Sequence, residues 1–302
     1  MKKSSAFYCF SGVEYLHTLT LVQGQLALAS QRIKMKKSEE IKMKKTVKLL
    51  SLVAAFAMAV SMTGCGNTKT EDNEAVADSD KKVITMATNA EFKPFEYLEG
   101  EEIVGADIDM AKAIAKYLDC EIEITNIDFD AALTGAATGK YDMAVAGITA
   151  NDERRQSMNF SDNYFTASQS IVVTADSEIK GAADLEGKTI SCQEGTTGEQ
   201  YLLDNNYSIQ SFKTASEGIT ALTTGKVDAL VIDNAVAKAL SAEQNGATVV
   251  LDEALTQEAY AIALQLGNDE MTAKINEALA ALKADGTLAK IFEKYDLTGD
   301  AE

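Results

Sequence analysis

The octapeptide TGKYDMAV at residues 138–145 recurs as TGKVDALV at residues 224–231. In each copy a helical run ends at Gly, a polar pair turns the chain, and an apolar strand follows. Glycine suits the left-handed backbone that closes a helix, so repeated turn chemistry is one interpretation. Two related half-structures with equivalent strands is the other. We favour the second because polar segments follow both strands, and ligands bind beyond the carboxyl ends of strands in open parallel sheets.

Strand-like and helix-like runs alternate from residue 81 onward: VITMAT, DIDMAKAIAKYL, EIEIT, DAALTGAAT and DMAVAG. This alternation predicts βαβ units and a mostly parallel sheet flanked by helices. The first helix should begin near Asp107, with that residue as its N-cap. Its predicted buried face contains Ile108, Ala111, Ala115 and Leu118.

Composition excludes several functions. The chain has 28 Lys+Arg against 46 Asp+Glu, a net charge of -18, and phosphate binding needs clustered basic residues, so nucleic acid is not an expected partner. The one histidine, His17, lies before Met43, in the segment interpreted below as an upstream extension. No histidine would remain in the mature chain, so neither His-based catalysis nor a metal site is expected. We expect no cofactor. Cys120 and Cys192 lack CxxC spacing, which favours free thiols over a disulfide.

The segment MKKTVKLLSLVAAFAMAVSMTGC begins at Met43 with basic residues, followed by an apolar run and small residues. This is the pattern of a secretory signal, and the apolar run is shorter than a membrane span requires. Its last four residues resemble a lipobox, at which bacterial lipoproteins are cleaved and acylated on Cys65. We therefore expect a lipoprotein signal peptide at 43–64.

The residues that flank this signal carry two further expectations. Because a signal peptide belongs at the start of a protein, 1–42 is interpreted as an upstream extension, with Met43 or, less favoured, Met35 as the true initiator. Residues 65–80 are polar and acidic. Such a segment buries too little apolar surface to offset its ordering entropy, so we expect a disordered tether.

Three segments resemble signatures of the extracellular solute-binding proteins, family 3, which serve polar amino-acid ABC transporters. ATNAEFKPFEY resembles the family's first strand and cleft loop. GADIDMAKAIAK resembles G-F-D-I-D-L-A-K-A-I-A, with Ala106 in place of Phe. AGITANDERRQSMNFSD resembles G-I-T-I-T-x-E-R-x-x-x-x-D-F-S-D. The resemblance covers residues 81–295.

The resemblance implies a two-lobe α/β fold of the periplasmic-binding-protein type II, in which each lobe is a mostly parallel sheet flanked by helices. Two strand-like hinge crossovers are expected near 164–168 and 258–261. The implied boundaries are 81–165 for the first part of lobe 1, 166–257 for lobe 2, and 258–302 for the return to lobe 1.

A free amino acid carries a carboxylate and an ammonium, and a site that buries both must supply partners for each. Arg154 suits the carboxylate because its guanidinium offers paired donors. The resemblance gives it that role, helped by Thr149, Gly147 and Ala146. Without the motif, a surface ion pair to a neighbouring acidic residue would be the better interpretation.

Asp233 ends the second repeated strand, and the resemblance assigns it to the ligand ammonium; the alternative is a helix N-cap. Thr196 and Thr197 lie at another strand-to-helix turn, from which a hydroxyl or an amide would reach the carboxylate. A phosphate-binding loop is a weak alternative there, because the Lys-Ser/Thr ending is absent.

Phe92 and Phe129 are expected to be apolar walls of the cleft, although aromatic residues in such folds are more often core. Asn89 stands where relatives commonly have Asp, which weakens the case for lysine or arginine as ligand. Gln193 also suggests a neutral polar side chain. Glutamine is therefore the favoured ligand, followed by small polar amino acids.

The resemblance implies a binding component that closes on a free polar L-amino acid and delivers it to a membrane permease driven by an ATPase. It would be extracytoplasmic, anchored by lipid on Cys65 to the outer face of the cytoplasmic membrane. No catalytic residue is expected. One alternative is a cyclic amino-acid dehydratase of the same fold, but Glu91, Glu194 and Glu199 near the cleft lack an evident activating partner. The other is a ligand-sensing subunit of a receptor.

Overall fold

The computed structural model describes residues 82–297. The predicted upstream extension at 1–42, the signal peptide at 43–64, the tether at 65–80 and the lipidated Cys65 lie outside the described residues. Within residues 82–297 no helix combines the length and apolar character needed to cross a membrane.

Fifteen strands are assigned in the described part of the chain. They are β1 (Val83–Thr88), β2 (Glu91–Phe92), β3 (Glu96–Glu99), β4 (Glu102–Val104), β5 (Glu121–Asn126), β6 (Met143–Ala144), β7 (Met158–Phe160), β8 (Phe165–Ala167), β9 (Gln169–Thr174), β10 (Thr189–Gln193), β11 (Ser208–Phe212), β12 (Ala229–Asp233), β13 (Thr248–Ala254), β14 (Glu258–Tyr260) and β15 (Ala263–Gln265).

Helices alternate with these strands, as predicted. The α-helices are α1 (Ala106–Tyr117), α2 (Phe129–Ala137), α3 (Thr197–Asp204), α4 (Ala215–Thr223), α5 (Asn234–Ala242), α6 (Asp269–Ala284) and α7 (Thr287–Lys294). Short 3-10 turns occur at Arg154–Gln156 and Ala182–Leu185.

Two five-stranded sheets form the centres of two lobes. The first has the order β5-β1-β6-β15-β7 and the second the order β11-β10-β12-β9-β13. In the first, β1 is parallel to β5 and β6, and β15 runs antiparallel to β6 and β7. In the second, β10 is parallel to β11 and β12, and β9 runs antiparallel to β12 and β13. We call the first sheet with α1, α2, α6 and α7 the first lobe, and the second sheet with α3, α4 and α5 the second lobe.

The repeated octapeptide has the same structural role in both lobes. Its strands, β6 and β12, occupy the central position of their sheets. Gly139 and Gly225 follow the helix ends with φ of 69° and 70°, the left-handed backbone that glycine adopts without strain. The Asp of each copy, Asp142 or Asp228, accepts a 2.8 Å hydrogen bond from a backbone N–H at the neighbouring parallel strand. The prediction of two related half-structures is confirmed.

The prediction that Asp107 is the N-cap of the first helix is wrong. The cap is Gly105, whose missing Cβ would lie 2.0 Å from a backbone oxygen of Phe95. The helix therefore begins two residues earlier than predicted, and Asp107 lies in its first turn, where it is buried. Its carboxylate instead accepts hydrogen bonds from the N–H of Gly147 at 2.9 Å and the hydroxyl of Tyr164 at 2.8 Å.

The predicted buried face of α1 is largely correct. Ile108, Ala111 and Ala115 are fully buried, whereas Leu118, just past the helix end, is half-buried. Cys120 and Cys192 are free thiols. Burial raises the pKa of the Cys192 thiol to about 11, which leaves that group protonated and unreactive at neutral pH.

Two antiparallel strands carry the chain between the sheets. β8 pairs with β14, with Ala167 opposite Glu258 and Phe165 opposite Tyr260. We call this pair of strands the hinge ribbon. Aromatic rings pack against one another here: the centroid of the Phe95 ring lies 4.9 Å from that of the Phe165 ring and 5.1 Å from that of the Tyr260 ring, in edge-on contact. The predicted two-lobe α/β fold with two hinge crossovers is therefore confirmed.

Candidate functional site

A cavity lies between the two lobes and, counted together with its opening to solvent, has roughly 300 Å³ of space not filled by protein atoms. It lies beyond the carboxyl ends of β1, β6, β10 and β12, where open α/β sheets bind ligands. All eleven candidate ligand-binding residues line it, together with one residue that sequence analysis missed. The lining residues are Asn89, Phe92, Glu96, Phe129, Ala146, Gly147, Thr149, Arg154, Gln193, Thr196, Thr197 and Asp233.

Arg154 is positioned by the turn that follows β6. Its backbone N–H donates to the side chain of Asn151 at 2.9 Å, which fixes the start of the 3-10 turn. The guanidinium donates to the carbonyl of Thr149 at 2.9 Å and, from the first lobe to the second, to that of Gly195 at 3.1 Å. It also lies over the ring of Phe129, 5.5 Å from its centre. Burial lowers the pKa of Arg154, the expected effect of removing a cation from water.

The alternative interpretation of Arg154 as a surface ion pair does not hold in the described part of the chain. Neither Asp152 nor Glu153 forms an ion pair with it there. Its neighbour Arg155 is exposed and lies over the ring of Phe160, outside the cavity. Carboxylates such as Glu258 and Asp233 act on Arg154 through their charge, but none in the described part of the chain forms an ion pair with it, so its guanidinium can still pair with an anionic ligand.

Asp233 ends β12 and is buried. Its carboxylate accepts hydrogen bonds from the hydroxyl of Tyr260 at 2.5 Å and the amide of Gln169 at 2.9 Å. It makes no side-chain capping bond to α5, so the N-cap alternative is wrong for its side chain. Burial, and next the charge of Glu258, raise the pKa of Asp233 to about 7. A nearby positive charge favours the ionised form of a buried carboxyl group, so a ligand cation would pair favourably with Asp233.

The three threonine hydroxyls of the cavity donate their protons within the protein. Thr149 and Thr197 both donate to one carboxylate oxygen of Glu258, at 2.6 and 2.7 Å. Thr196 donates to the carbonyl of Gln193 at 2.7 Å and caps α3. Because a hydroxyl has one proton, none of the three is free to donate to a ligand carboxylate. The turn before α3 is predicted to contact the ligand carboxylate through a hydroxyl or a backbone amide. With the hydroxyls occupied, only the backbone amides at the start of α3 can do so.

Asn89 and Gln193 meet across the cavity. The Gln193 amide nitrogen donates to the side-chain oxygen of Asn89 at 3.0 Å and to the carbonyl of Lys213 at 3.3 Å. The Asn89 nitrogen donates to the carbonyl of Ile127 at 3.0 Å. Backbone carbonyls only accept, so both amide orientations are fixed. The buried side-chain oxygen of Gln193 has no protein partner.

Phe92 and Phe129 line the cavity with nine-tenths or more of their surface buried. Phe92 lies against Gly147, where an added Cβ would be 3.0 Å from the ring. Gly147 has a φ of 53°, so its backbone conformation and this contact both favour glycine.

Glu96 lines the cavity and is fully buried, yet sequence analysis did not select it. Burial, and next the charge of Asp107, raise its pKa well above the usual range. Burial likewise raises the pKa of Asp107 to about 6. Glu96 belongs to the segment FKPFEY, but a lone Glu in a short strand is normally solvated. The one sequence signal for Glu96 is its position directly after Phe95, within the segment that resembles the family's cleft loop.

The candidate general acids for a dehydratase do not line the cavity. Glu194 pairs with Lys213 at 2.7 Å on the surface, Glu199 accepts the N–H of Gly195 at 2.7 Å, and Glu91 is half-exposed. Among residues 82–297 no group of three or more His, Cys, Asp or Glu side chains is arranged to bind a metal.

Comparison with known proteins gives a consistent result. A sequence profile of bacterial extracellular solute-binding proteins, family 3, matches residues 84–298. The arginine-binding extracellular protein ArtP of Bacillus subtilis (strain 168) is 31% identical over 258 residues, covering 84% of this chain and 99% of the relative.

Solved structures give the same picture. An ancestral arginine-binding protein bound to glutamine is 39% identical, with a TM-score of 0.69 over 72% of this chain and 99% of its own. An ancestral arginine-binding protein bound to arginine is 40% identical, with a TM-score of 0.68 over 71% of this chain and 98% of its own.

Proposed function

Because the chain belongs to the bacterial extracellular solute-binding proteins, family 3, we propose that it binds a free polar L-amino acid between its two lobes and delivers it to an ABC permease. The observation that carries this proposal is the shared cavity of Arg154 and Asp233. One follows the central strand of the first sheet and the other ends the central strand of the second. Opposite charges on opposite lobes match the two poles of a zwitterion.

Each pole has a partner of suitable chemistry. The guanidinium of Arg154, with the backbone amides at the start of α3, would bind the ligand carboxylate. The carboxylate of Asp233 would bind the ammonium, whose positive charge favours its ionised form. A ligand of about ten heavy atoms at micromolar affinity needs about -8 kcal/mol, within the range for small compact ligands.

We place the ligand side chain beside Asn89 and Gln193 and call this part of the cavity its side-chain end. Its chemistry supports a neutral ligand that donates hydrogen bonds. Asn89 and Gln193 carry no charge, and the unpaired oxygen of Gln193 is a buried acceptor. Burying a polar group without a partner is costly, so a ligand N–H should complete this site. A side-chain amide meets the need, whereas a carboxylate would place oxygen against oxygen. We infer a preference for glutamine, with other donor-bearing neutral amino acids behind it.

A cation at that end is disfavoured by the same argument. A guanidinium also donates N–H groups, and ArtP is described as arginine-binding, so arginine is the nearest competitor. Its charge would be buried beside two neutral amides, and a buried charge without a counter-charge is unfavourable. Glutamine therefore remains the expected ligand.

The chain is a binding protein rather than an enzyme: the relatives above are described as binding proteins. A ligand-sensing subunit of a receptor would use the same cavity. Affinity capture from membranes with the closed, ligand-saturated protein separates the two partners. We expect a permease and its ATPase, and a signalling receptor in their place would contradict the transport role.

A thermal-shift panel of the twenty L-amino acids with ornithine, citrulline and cystine tests the binding proposal. Ligand binding raises stability by mass action, so glutamine should give the largest increase in melting temperature and glutamate little or none. A larger shift with arginine would overturn the glutamine preference alone. No shift with any member would overturn amino-acid binding.

We propose an extracytoplasmic location with lipid on Cys65, which would keep the protein near its permease. The support is the signal-like segment at 43–64 and its lipobox. Labelling cells with a radioactive fatty acid should mark the wild-type protein and not Cys65→Ser. Equal labelling of both would contradict lipidation at this residue.

A further inference from the structure

Glu258 is a buried carboxylate that sequence analysis did not select. It begins β14, in the hinge ribbon, and is 9% exposed. Its Oε2 accepts from the hydroxyls of Thr149 and Thr197, and its Oε1 from the hydroxyl of Thr256 at 2.8 Å. Within residues 82–297 no Lys or Arg forms an ion pair with it. The hydrogen bonds to its carboxylate in this part of the chain come from threonines.

The two threonines that share Oε2 belong to different lobes. Thr149 follows β6 in the first lobe, and Thr197 begins α3 in the second. Both hydroxyls must lie within hydrogen-bonding distance of the same atom. Because the two hydroxyls are carried by different lobes, a rotation that opens the cleft would change the distance between them, and we expect the shared contact to belong to the closed arrangement.

The energetic weight of this contact follows from burial. Hydrogen bonds to an ionised acceptor are stronger than those between neutral groups, and a buried carboxylate that loses its donors has no compensating solvent. Opening would remove at least one donor from Oε2. The contact therefore favours closure without touching the ligand.

We propose that Glu258 is a positioning residue that stabilises the closed cleft by accepting one hydroxyl from each lobe on a single oxygen atom. This inference rests on the proposed function for its biological meaning, because closure is what a permease would recognise. Glu258 itself does not line the cavity, so it would act through Thr149 and Thr197.

Variants at Glu258 test the inference by calorimetry and small-angle scattering with saturating ligand. Glu258→Ala removes the shared acceptor, and we expect at least tenfold weaker binding and less compaction than in the wild type. Glu258→Gln keeps one oxygen that can accept both hydroxyls, so it should retain most of the compaction. Wild-type affinity and compaction in Glu258→Ala would overturn the proposal, as would a Glu258→Gln variant as defective as Glu258→Ala.

Thr256→Val is the matched control. It removes a hydroxyl bond to the same carboxylate and the bond that this hydroxyl accepts from the backbone N–H of Gln169. Neither bond involves the first lobe, so compaction should stay as in the wild type. A loss equal to that of Glu258→Ala would show that any broken bond to Glu258 has this effect and would overturn the shared-atom argument.

A second readout needs no ligand and separates this inference from the proposed function. In the free protein with a high concentration of sucrose, which favours the more compact closed arrangement, Thr149→Val and Thr197→Val should have non-additive effects on the melting temperature, and the non-additivity should disappear in a Glu258→Ala background. Additive effects in both backgrounds would overturn the inference. If no amino acid binds the wild type, the proposed function fails, and this cycle still decides the role of Glu258.

Discussion

At the scale of single residues, Arg154 shows what a motif can and cannot predict. The block AGITANDERRQSMNFSD predicts Arg154 as the partner of a ligand carboxylate, and Arg154 lines the cavity. Its bond to the Gly195 carbonyl had no sequence signal, because that partner lies in the other lobe. Residue type predicts the kind of chemistry, and the fold selects the partners.

The hydroxyl directions illustrate the same limit. The sequence predicts Thr149, Thr196 and Thr197 as contacts of the ligand carboxylate, to which their hydroxyls could donate. Their protons go to Glu258 and to a carbonyl instead. A hydroxyl both donates and accepts, so its direction depends on neighbours that are distant in sequence.

Replacing Arg154 by Ala should weaken amino-acid binding by about 2 to 5 kcal/mol, tens-fold or more, because a desolvated ligand carboxylate would lose its cation. Calorimetry on folded protein measures the change. Arg155→Ala is the matched control: it removes the same charge one residue away, from an exposed side chain outside the cavity. Its affinity should change by no more than about twofold. Equal losses in both variants would contradict a specific role for Arg154.

Affinity should fall as pH decreases from 8 to 6. Asp233 must be ionised to pair with an ammonium, and burial raises its pKa to about 7, so its ionised fraction decreases through this range. Below pH 7 the loss should approach about tenfold per pH unit. The facing groups do not reverse the sign: Glu258 opposes ionisation, and the Tyr260 hydroxyl, with its pKa well above the usual value, stays protonated.

Calorimetric titrations at pH 6, 7 and 8 measure this dependence. Asp233→Asn should bind more weakly and with little change between pH 7 and 8. A wild-type affinity that is constant over the whole range would contradict the pairing of Asp233 with the ammonium.

At the scale of elements, the helices and strands were largely predictable and their close contacts were not. The octapeptide correctly predicted equivalent strands, because helix-closing glycines and apolar strands are local features. The start of α1 was misplaced because Gly105 passes so close to the backbone of Phe95, a contact that periodicity does not contain. The sequence did not predict the roles of Glu96 and Glu258 for the same reason: their burial depends on tertiary contacts that a local pattern does not contain.

The turn between β10 and α3 gives a prediction at this scale. Gly195 has a φ of 76°, and an added Cβ would lie 1.9 Å from a carboxylate oxygen of Asp130 in the first lobe. The Asp130 side chain is exposed and would have to turn aside, so Gly195→Ala should hinder closure and weaken binding by about 1 kcal/mol, roughly fivefold. Scattering should show less compaction with ligand.

Gly187→Ala is the control for backbone strain. Gly187 has a φ of 72°, and an added Cβ would have no neighbour within 4 Å. Both variants should lose similar thermal stability, since both place Ala in a left-handed conformation, but only Gly195→Ala should lose affinity. Equal affinity in the two variants would contradict the steric account.

At the scale of the whole molecule, two sheets of matching order face one cavity, and two hinge strands join them. A ligand that contacts both lobes can make all its contacts only in the closed arrangement, so binding shifts the population toward it. The two-lobe fold could be predicted because local motifs lay in the right order along most of the chain. The contacts that favour closure could not, since each joins residues from different lobes.

The central claim is that Arg154 and Asp233 bind the two poles of one amino acid. Its most direct test is calorimetry with three ligands: the amino acid that shifts the melting temperature most, the amine that lacks its α-carboxylate, and the acid that lacks its α-ammonium. Neither truncated compound adds bulk. Each should bind at least tens-fold more weakly than the parent, because a buried charge of the protein would be left unpaired. If either truncated compound binds within a few-fold of the parent, the two-pole account is contradicted.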